Sequence, residues 1–470
     1  MRPLMKMYGG TWVRKLGKGL LIFAGASLLV PFLMIVILGV DDDLSPSAQR
    51  YHAIWPAPLP PVDQNGFYAL AGLLRPEGED PHKVGQQWYA KLASEKAEDE
   101  AALIAWQQQE IKNGNAMSWS CGRAQQAKHI CLETILAKRA EIESALRENA
   151  LIAARFDTLL AFPAMTEPYA SPSFTAPMLR YPVFAIQLSQ ARSVLAFADG
   201  RYDEALRTLE ARWRLALKLE AGAATLVTKM VGIARLREEQ ALLSQMLAQG
   251  HAGFNTHAAR IAALLGEYDM HPHGFARVWH GECRMHSITL ANIDNPDWRG
   301  VNATETGSLT WIEKMVSRAR HLMSYRAHRS MNDSAEWCDE MTRISSLPPA
   351  QALDAFAAWQ KDEYGFRWLS WQTLRSPAGH LLVRVATPDY GNYVARSTDL
   401  QGSNRLVRLQ AAVVSGEPLA AVIARRELSD PYTNQPMHYD QTRQVVSFTQ
   451  RQRSYTGEAQ AMRIEVPVTP

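Results

Sequence analysis

The residues best equipped for chemistry lie in one short segment, Met270-His-Pro-His-Gly-Phe-Ala-Arg-Val-Trp-His280-Gly-Glu-Cys-Arg-Met-His286. Imidazole and thiolate bind zinc, copper and nickel well, which makes His271, His273, His280 and His286 the candidate metal ligands of the chain. On a helix His280, Cys283 and His286 would spread over about 120° of the surface. Two of them could share one transition-metal ion, whereas three would strain. The plainer reading is a set of solvent-facing or locally hydrogen-bonded histidines beside a structural disulfide, because a bridged Cys283 is no ligand. Other chemistries lack their signatures: there is no G-x-S-x-G elbow or S-x-x-K start, and no H-E-x-x-H, P-loop or G-x-G-x-x-G. The acidic neighbours Glu77 with Asp80, and Asp339 with Glu340, read as solvated faces rather than paired catalytic carboxylates. No catalytic residue is assigned and no cofactor is expected.

What must position these residues starts with a membrane anchor. Gly19 to Val40 is an uncharged, mostly apolar run of 22 residues, and about 20 apolar residues span a bilayer as a helix. A cleaved secretory signal has a shorter apolar core and a small-residue cleavage site, whereas this run ends in Asp41-Asp42-Asp43. Pro31 within it is tolerated by a membrane helix. Arg2, Lys6, Arg14, Lys15 and Lys18 precede the run, and basic flanks stay on the cytoplasmic side. The expectation is a bacterial inner-membrane protein with its N-terminus, residues 1–18, in the cytoplasm, one transmembrane helix at 19–40, and the rest in the periplasm.

That orientation explains the charge. Removing the five flanking basic residues from 50 leaves 45 against 47 acidic ones, so the exported part carries about −2 although the chain carries +3. A nucleic-acid partner is not expected, since such proteins show a basic domain or stripe. The nearest thing to one, Arg318, Arg320, His321, Arg326, His328 and Arg329, reads as a solvated helix face. The periplasm is oxidising, so the four cysteines Cys121, Cys131, Cys283 and Cys338 permit two disulfides in three connectivities. Pairing Cys121 with Cys131 needs a bend that Gly122 could supply; Cys283 with Cys338 would then join two helical segments.

Four prolines between Trp55 and Val62 favour extended polyproline II, giving a linker or stalk over 41–62. From Asp63 to about 425 the apolar spacing is helical: Trp88 to Ile111 and Leu132 to Phe156, then a proline-rich crossover at Phe162 to Pro182. Helical pattern resumes to about Gly250, continues from Leu309 to Tyr325, and returns from Pro348 to Leu374. Trp359, Trp368 and Trp371, near Tyr364 and Phe366, fit core packing at helical spacing better than a sugar site. Asp430 to Met437 is turn-forming, and strands are expected at His438 to Asp440, Val445 to Phe448 and Arg463 to Val468.

Two resemblances follow. Ala196 to Leu206, AFADGRYDEAL, places Gly200, Tyr202 and Ala205 as the tetratricopeptide repeat does, where Gly and Ala let two helices pack closely. Arg212 and Leu217 depart from that pattern and no second copy appears at its period, so the resemblance implies one helical hairpin, or at most a solenoid. DPYTNQPMHY, residues 430–439, resembles a short module of uncharacterised bacterial single-pass envelope proteins and, more loosely, the head of type II secretion pseudopilins. It implies a small folded cap.

The expected fold is therefore mostly α, with an anchor, a stalk, a multi-helix body at 63–425 and a small β-containing module at 426–470. The expected role is a binding protein rather than an enzyme: a scaffold or accessory subunit of a cell-envelope assembly, with a protein partner. The alternative is an envelope enzyme or metal-handling protein using His271 to His286.

Overall fold

The structure, a computed structural model, describes residues 40–53, 58–93, 131–168, 181–270, 273–293, 325–363, 375–385, 389–452 and 463–468. The anchor expected at 19–40 therefore lies outside the described residues except for Val40. So do Cys121, His271, most of the helix expected beyond Trp88, the segment 309–324, and Trp368 with Trp371. Among the described residues no helix is long and apolar enough to cross a membrane.

The described residues form 17 α-helices and one three-stranded antiparallel sheet. In chain order the helices are α1 Pro46–His52, α2 Phe67–Gly72, α3 Pro81–Ala93, α4 Cys131–Leu136, α5 Arg139–Glu148 and α6 Ala150–Leu160. Next come α7 Tyr181–Ala198, α8 Tyr202–Ala221, α9 Leu226–Ala248, α10 Ala252–Asn255, α11 Ala258–Gly266 and α12 Ala276–Asn292. The last are α13 Ala327–Ser345, α14 Pro349–Glu363, α15 Pro377–Val385, α16 Tyr390–Val414 and α17 Leu419–Ile423. The strands are β1 His438–Asp440, β2 Val445–Thr449 and β3 Arg463–Pro467, with β2 central. The chain divides into two compact units: one of residues 1–50, 286–336 and 365–387, the other of residues 51–285, 337–364 and 388–470.

In the larger unit α7, α8 and α9 pack in sequence, and the 25-residue α16 packs on α9, α11 and α14. The turn between α7 and α8 needs Gly200, whose φ of +74° places it in the left-handed region, which glycine enters without the Cβ penalty. A Cβ there would meet nothing within 4 Å. Gly200 thus serves the turn rather than close packing, which falls to the buried Ala196 and Ala205. Gly250 ends the next helix in the same way, at φ +68°.

Arg212 stands where a tetratricopeptide hairpin has a small residue, and the reason lies in three helices. Its guanidinium makes a bidentate pair with Glu239 of α9, both bonds 2.8 Å, and Nη1 donates to Ser189 O and Ser193 Oγ of α7, also at 2.8 Å. Both charged side chains are almost fully buried. A buried pair of this kind is tolerated only when its remaining donors find acceptors.

The C-terminal strands are not a separate appendage. Tyr432, Met437, Val446, Phe448, Val466 and Val468 belong to the same apolar cluster as Leu209, Trp213 and Leu242 of α8 and α9 and Leu400 and Leu406 of α16. Asp430 opens the expected turn by accepting from the backbone N–H of Tyr432 and Thr433, at 2.7 and 3.1 Å. The Tyr432 hydroxyl then donates to the buried Asp399 of α16 at 2.6 Å, whose carboxylate also accepts the N–H groups of Arg451 and Gln452. Register runs His438 opposite Ser447, and Phe448 opposite Ile464.

In the smaller unit the start of the stretch expected to be a linker, residues 41–45, is folded onto helix α13, while residues 54–57 of its proline-rich part lie outside the described residues. Asp41 accepts the backbone N–H of His328 and Arg329, at 2.9 and 3.0 Å, at the first turn of that helix. Those N–H groups have no partner within the helix, and a carboxylate there also favours the helix dipole. Asp42 pairs with Arg329 at 3.2 Å and with Arg375 at 2.5 Å, and Asn332 bonds both Asp43 O and Ser45 N. Pro46–His52 then forms α1, with Ser45 Oγ accepting Ala48 N. Of the basic cluster expected as a solvated face, Arg318, Arg320 and His321 lie outside the described residues and His328 is exposed, but Arg326 is buried and Arg329 is held between Asp42 and Asp333.

Candidate functional site

Among the described residues, a concentration of ionisable groups in the larger unit surrounds the start of α9. Thr225 is the N-cap, its hydroxyl accepting Thr228 N. Glu167, from the proline-rich crossover, accepts the N–H groups of Ala224 and Thr225 at 2.7 and 2.8 Å and the hydroxyls of Thr225 and Thr228. Glu282, from α12, accepts Leu226 N at 2.6 Å. Two carboxylates from other elements thus occupy the positive end of one 23-residue helix, the place where such a helix attracts anions. Burial nonetheless raises Glu167, against the effect of its four donors. Burial, reinforced by the charge of Glu167, pushes Glu282 up to about 7.

Beside this lies a second cluster. Lys229 Nζ is 2.5 Å from Glu220 Oε1 and donates to the carbonyls of His273 and Gly274, each at 3.3 Å. Burial opposes ionisation of Glu220, yet the charges of Lys229 and His273 hold it below the usual carboxylate range. His273 Nδ1 faces Glu220 Oε2 at 3.1 Å, Nε2 faces the Tyr268 carbonyl, and the ring stacks on Tyr268 at 3.6 Å. Both ring nitrogens meet acceptors, so a ring lacking either proton leaves one acceptor without its donor. The side chain of His273 is 21% exposed, and it forms the solvent edge of this cluster.

The remaining sequence candidates go to other places. His280 is buried on α12, its Nε2 against the Ala53 carbonyl at 2.9 Å and its ring 5.7 Å from that of Tyr51. His286 is half-buried, and desolvation lowers it to about 4. Cys283 is joined to Cys338, with Cα atoms 6.2 Å apart, so its sulfur is taken. Among the described residues no group of three His, Cys, Asp or Glu side chains is placed to hold a metal ion. Of the segment's histidines, His273 and His280 are hydrogen-bonded, and His271 lies outside the described residues. Sequence reasoning missed Glu167, Glu220, Lys229 and Glu282. Thr225 stands before the apolar start of α9, but nothing local marks Glu167 as its distant partner.

Another concavity of the larger unit, about 260 Å³, has a floor of Ala258, Ala262, Ala411 and Ala412 and a rim that includes Arg408 and Glu417. Arg408 is paired with Asp269 and Arg425 with Glu417. Small residues at the floor admit a close-packed side chain, and the rim offers both signs of charge. No protein family, curated protein or solved structure matches the chain.

Proposed function

We propose that this is a single-pass protein of the bacterial inner membrane whose helical body, on the periplasmic side, binds a protein partner as a scaffold or accessory subunit of an envelope assembly. The observation that carries the reading is the grip of Asp41 to Ser45 on the first turns of α13. The uncharged run 19–40 ends where this grip begins. A tether whose first polar residues are fastened into the smaller unit holds that unit at a defined place on the membrane, which suits presentation of a surface to a neighbour. The alanine-floored groove is a surface of a shape that would receive a partner side chain. The test is purification of the full chain from its native membranes in mild detergent. A second polypeptide in fixed stoichiometry, retained through sizing, is expected. A lone chain at every detergent condition contradicts the reading.

A second reading, an envelope enzyme or metal-handling protein, draws on the partly open His273 against the Glu220–Lys229 pair, since perturbed groups in an accessible cluster mark functional sites. Metal analysis of the purified, tag-free chain would favour it if one stoichiometric ion appeared and His273→Ala removed it.

A further inference from the structure

We propose that helix α15 lies on the lipid surface beside the anchor, with Leu381 and Leu382 in the headgroup and upper acyl region. This rests on reading 19–40 as a membrane span. Val40, the last residue of that run, is 61% exposed, and its carbonyl accepts a bond from Arg375 at 3.2 Å. The same guanidinium holds Asp42. The chain is thus fixed where it would leave the bilayer, and α15 begins two residues after the arginine that fixes it.

The helix has an inner and an outer side. A Cβ on Gly379 would stand 1.8 Å from Ser330 Oγ of α13, so that side is pressed against the unit, and Val383 beside it is buried. Leu381 lies about 200° around the helix from Gly379, on the far side, and is 50% exposed, with Leu382 at 42%. They stand roughly 6–8 Å along the axis from the start of α15. Both leucines are left half-exposed by the unit and so are open to further burial of apolar area. An amphipathic helix at a bilayer buries such a face to a depth of about 5–10 Å. The occupant is fixed by the end of the anchor: the surface nearest Val40 is the membrane from which the chain emerges.

The test uses the full chain in vesicles of phosphatidylcholine and phosphatidylglycerol carrying an environment-sensitive fluorophore at Leu381→Cys or, separately, at Leu33→Cys within the run. Lipids with a nitroxide high on the acyl chain act as quencher. The expected result is quenching at both positions, with about a twofold loss of emission or more at Leu381. Quenching at Leu33 without quenching at Leu381 overturns this inference and leaves the anchor standing. No quenching at either position overturns the anchor, and the inference with it.

Discussion

Replacing Glu282 by glutamine should stabilise the protein at neutral pH and expose a slope that the native chain conceals. In the fold this carboxyl is pushed up to about 7 by burial and the Glu167 charge, against an ordinary 4.5. A raised carboxyl value means that the fold favours the proton. The stabilisation from that proton is complete below about pH 4.5 and is lost as pH rises through 7. At 1.36 kcal/mol per unit, the ionised side chain costs about 3 kcal/mol above pH 7. Glutamine keeps an oxygen for Leu226 N–H, which donates at 2.6 Å, and removes the buried charge. His286 runs the other way: its value is depressed to about 4 by burial, so its contribution is present above about pH 6.5 and lost as pH falls through 4, again by about 3 kcal/mol. Between pH 4.5 and 6.5 the two terms oppose each other. The assay is the urea midpoint of the full chain and of Glu282→Gln from pH 4.5 to 8, followed by tryptophan fluorescence. Equal stability at pH 4.5, a gain near 3 kcal/mol at pH 8 and a steeper acid loss in the variant are expected. A variant no more stable than the native chain at pH 8, or a difference that does not change with pH, refutes the reasoning.

Three further outcomes follow from the same geometry. Cys283→Ala with Cys338→Ala opens a bridge of sequence separation 55 and should cost about 4 kcal/mol by loop-closure entropy, read as a lower melting temperature that reducing agent no longer shifts. Arg212→Met leaves Glu239 buried without its partner and should cost about 3–5 kcal/mol; Arg212→Met with Glu239→Leu should recover most of that in chemical denaturation. Asp41→Ala removes the acceptor for two N–H groups at the start of α13, a capping loss of about 1 kcal/mol. Faster hydrogen exchange at His328 and Arg329, with α9 unchanged, would report it.

Features whose cause is local were legible in the sequence. The helix ending near Gly250, the hairpin turn at Gly200 and the three C-terminal strands each follow from a period or from a residue whose backbone freedom a turn requires. The two units were not visible, because both are assembled from segments distant in sequence. Asp42 looked like a flanking charge because its basic partners, Arg329 and Arg375, come some 290 and 330 residues later. The buried ionic clusters were hidden for the same reason: Glu167, Glu220 and Glu282 read as ordinary surface acids until the fold closes over them. The histidines drew notice through their spacing, but spacing along a chain does not bring rings together, and His273, His280 and His286 are each bonded or half-buried separately.

The central claim is that the helical body stands outside the cytoplasm at the end of one anchor. The most direct measurement is the activity of a phosphatase that folds only after export, fused to the C-terminus of the full chain in bacterial cells. High activity, lost when residues 19–40 are deleted, is the predicted result. An inactive fusion, present in full length on the cytoplasmic side, would contradict the account.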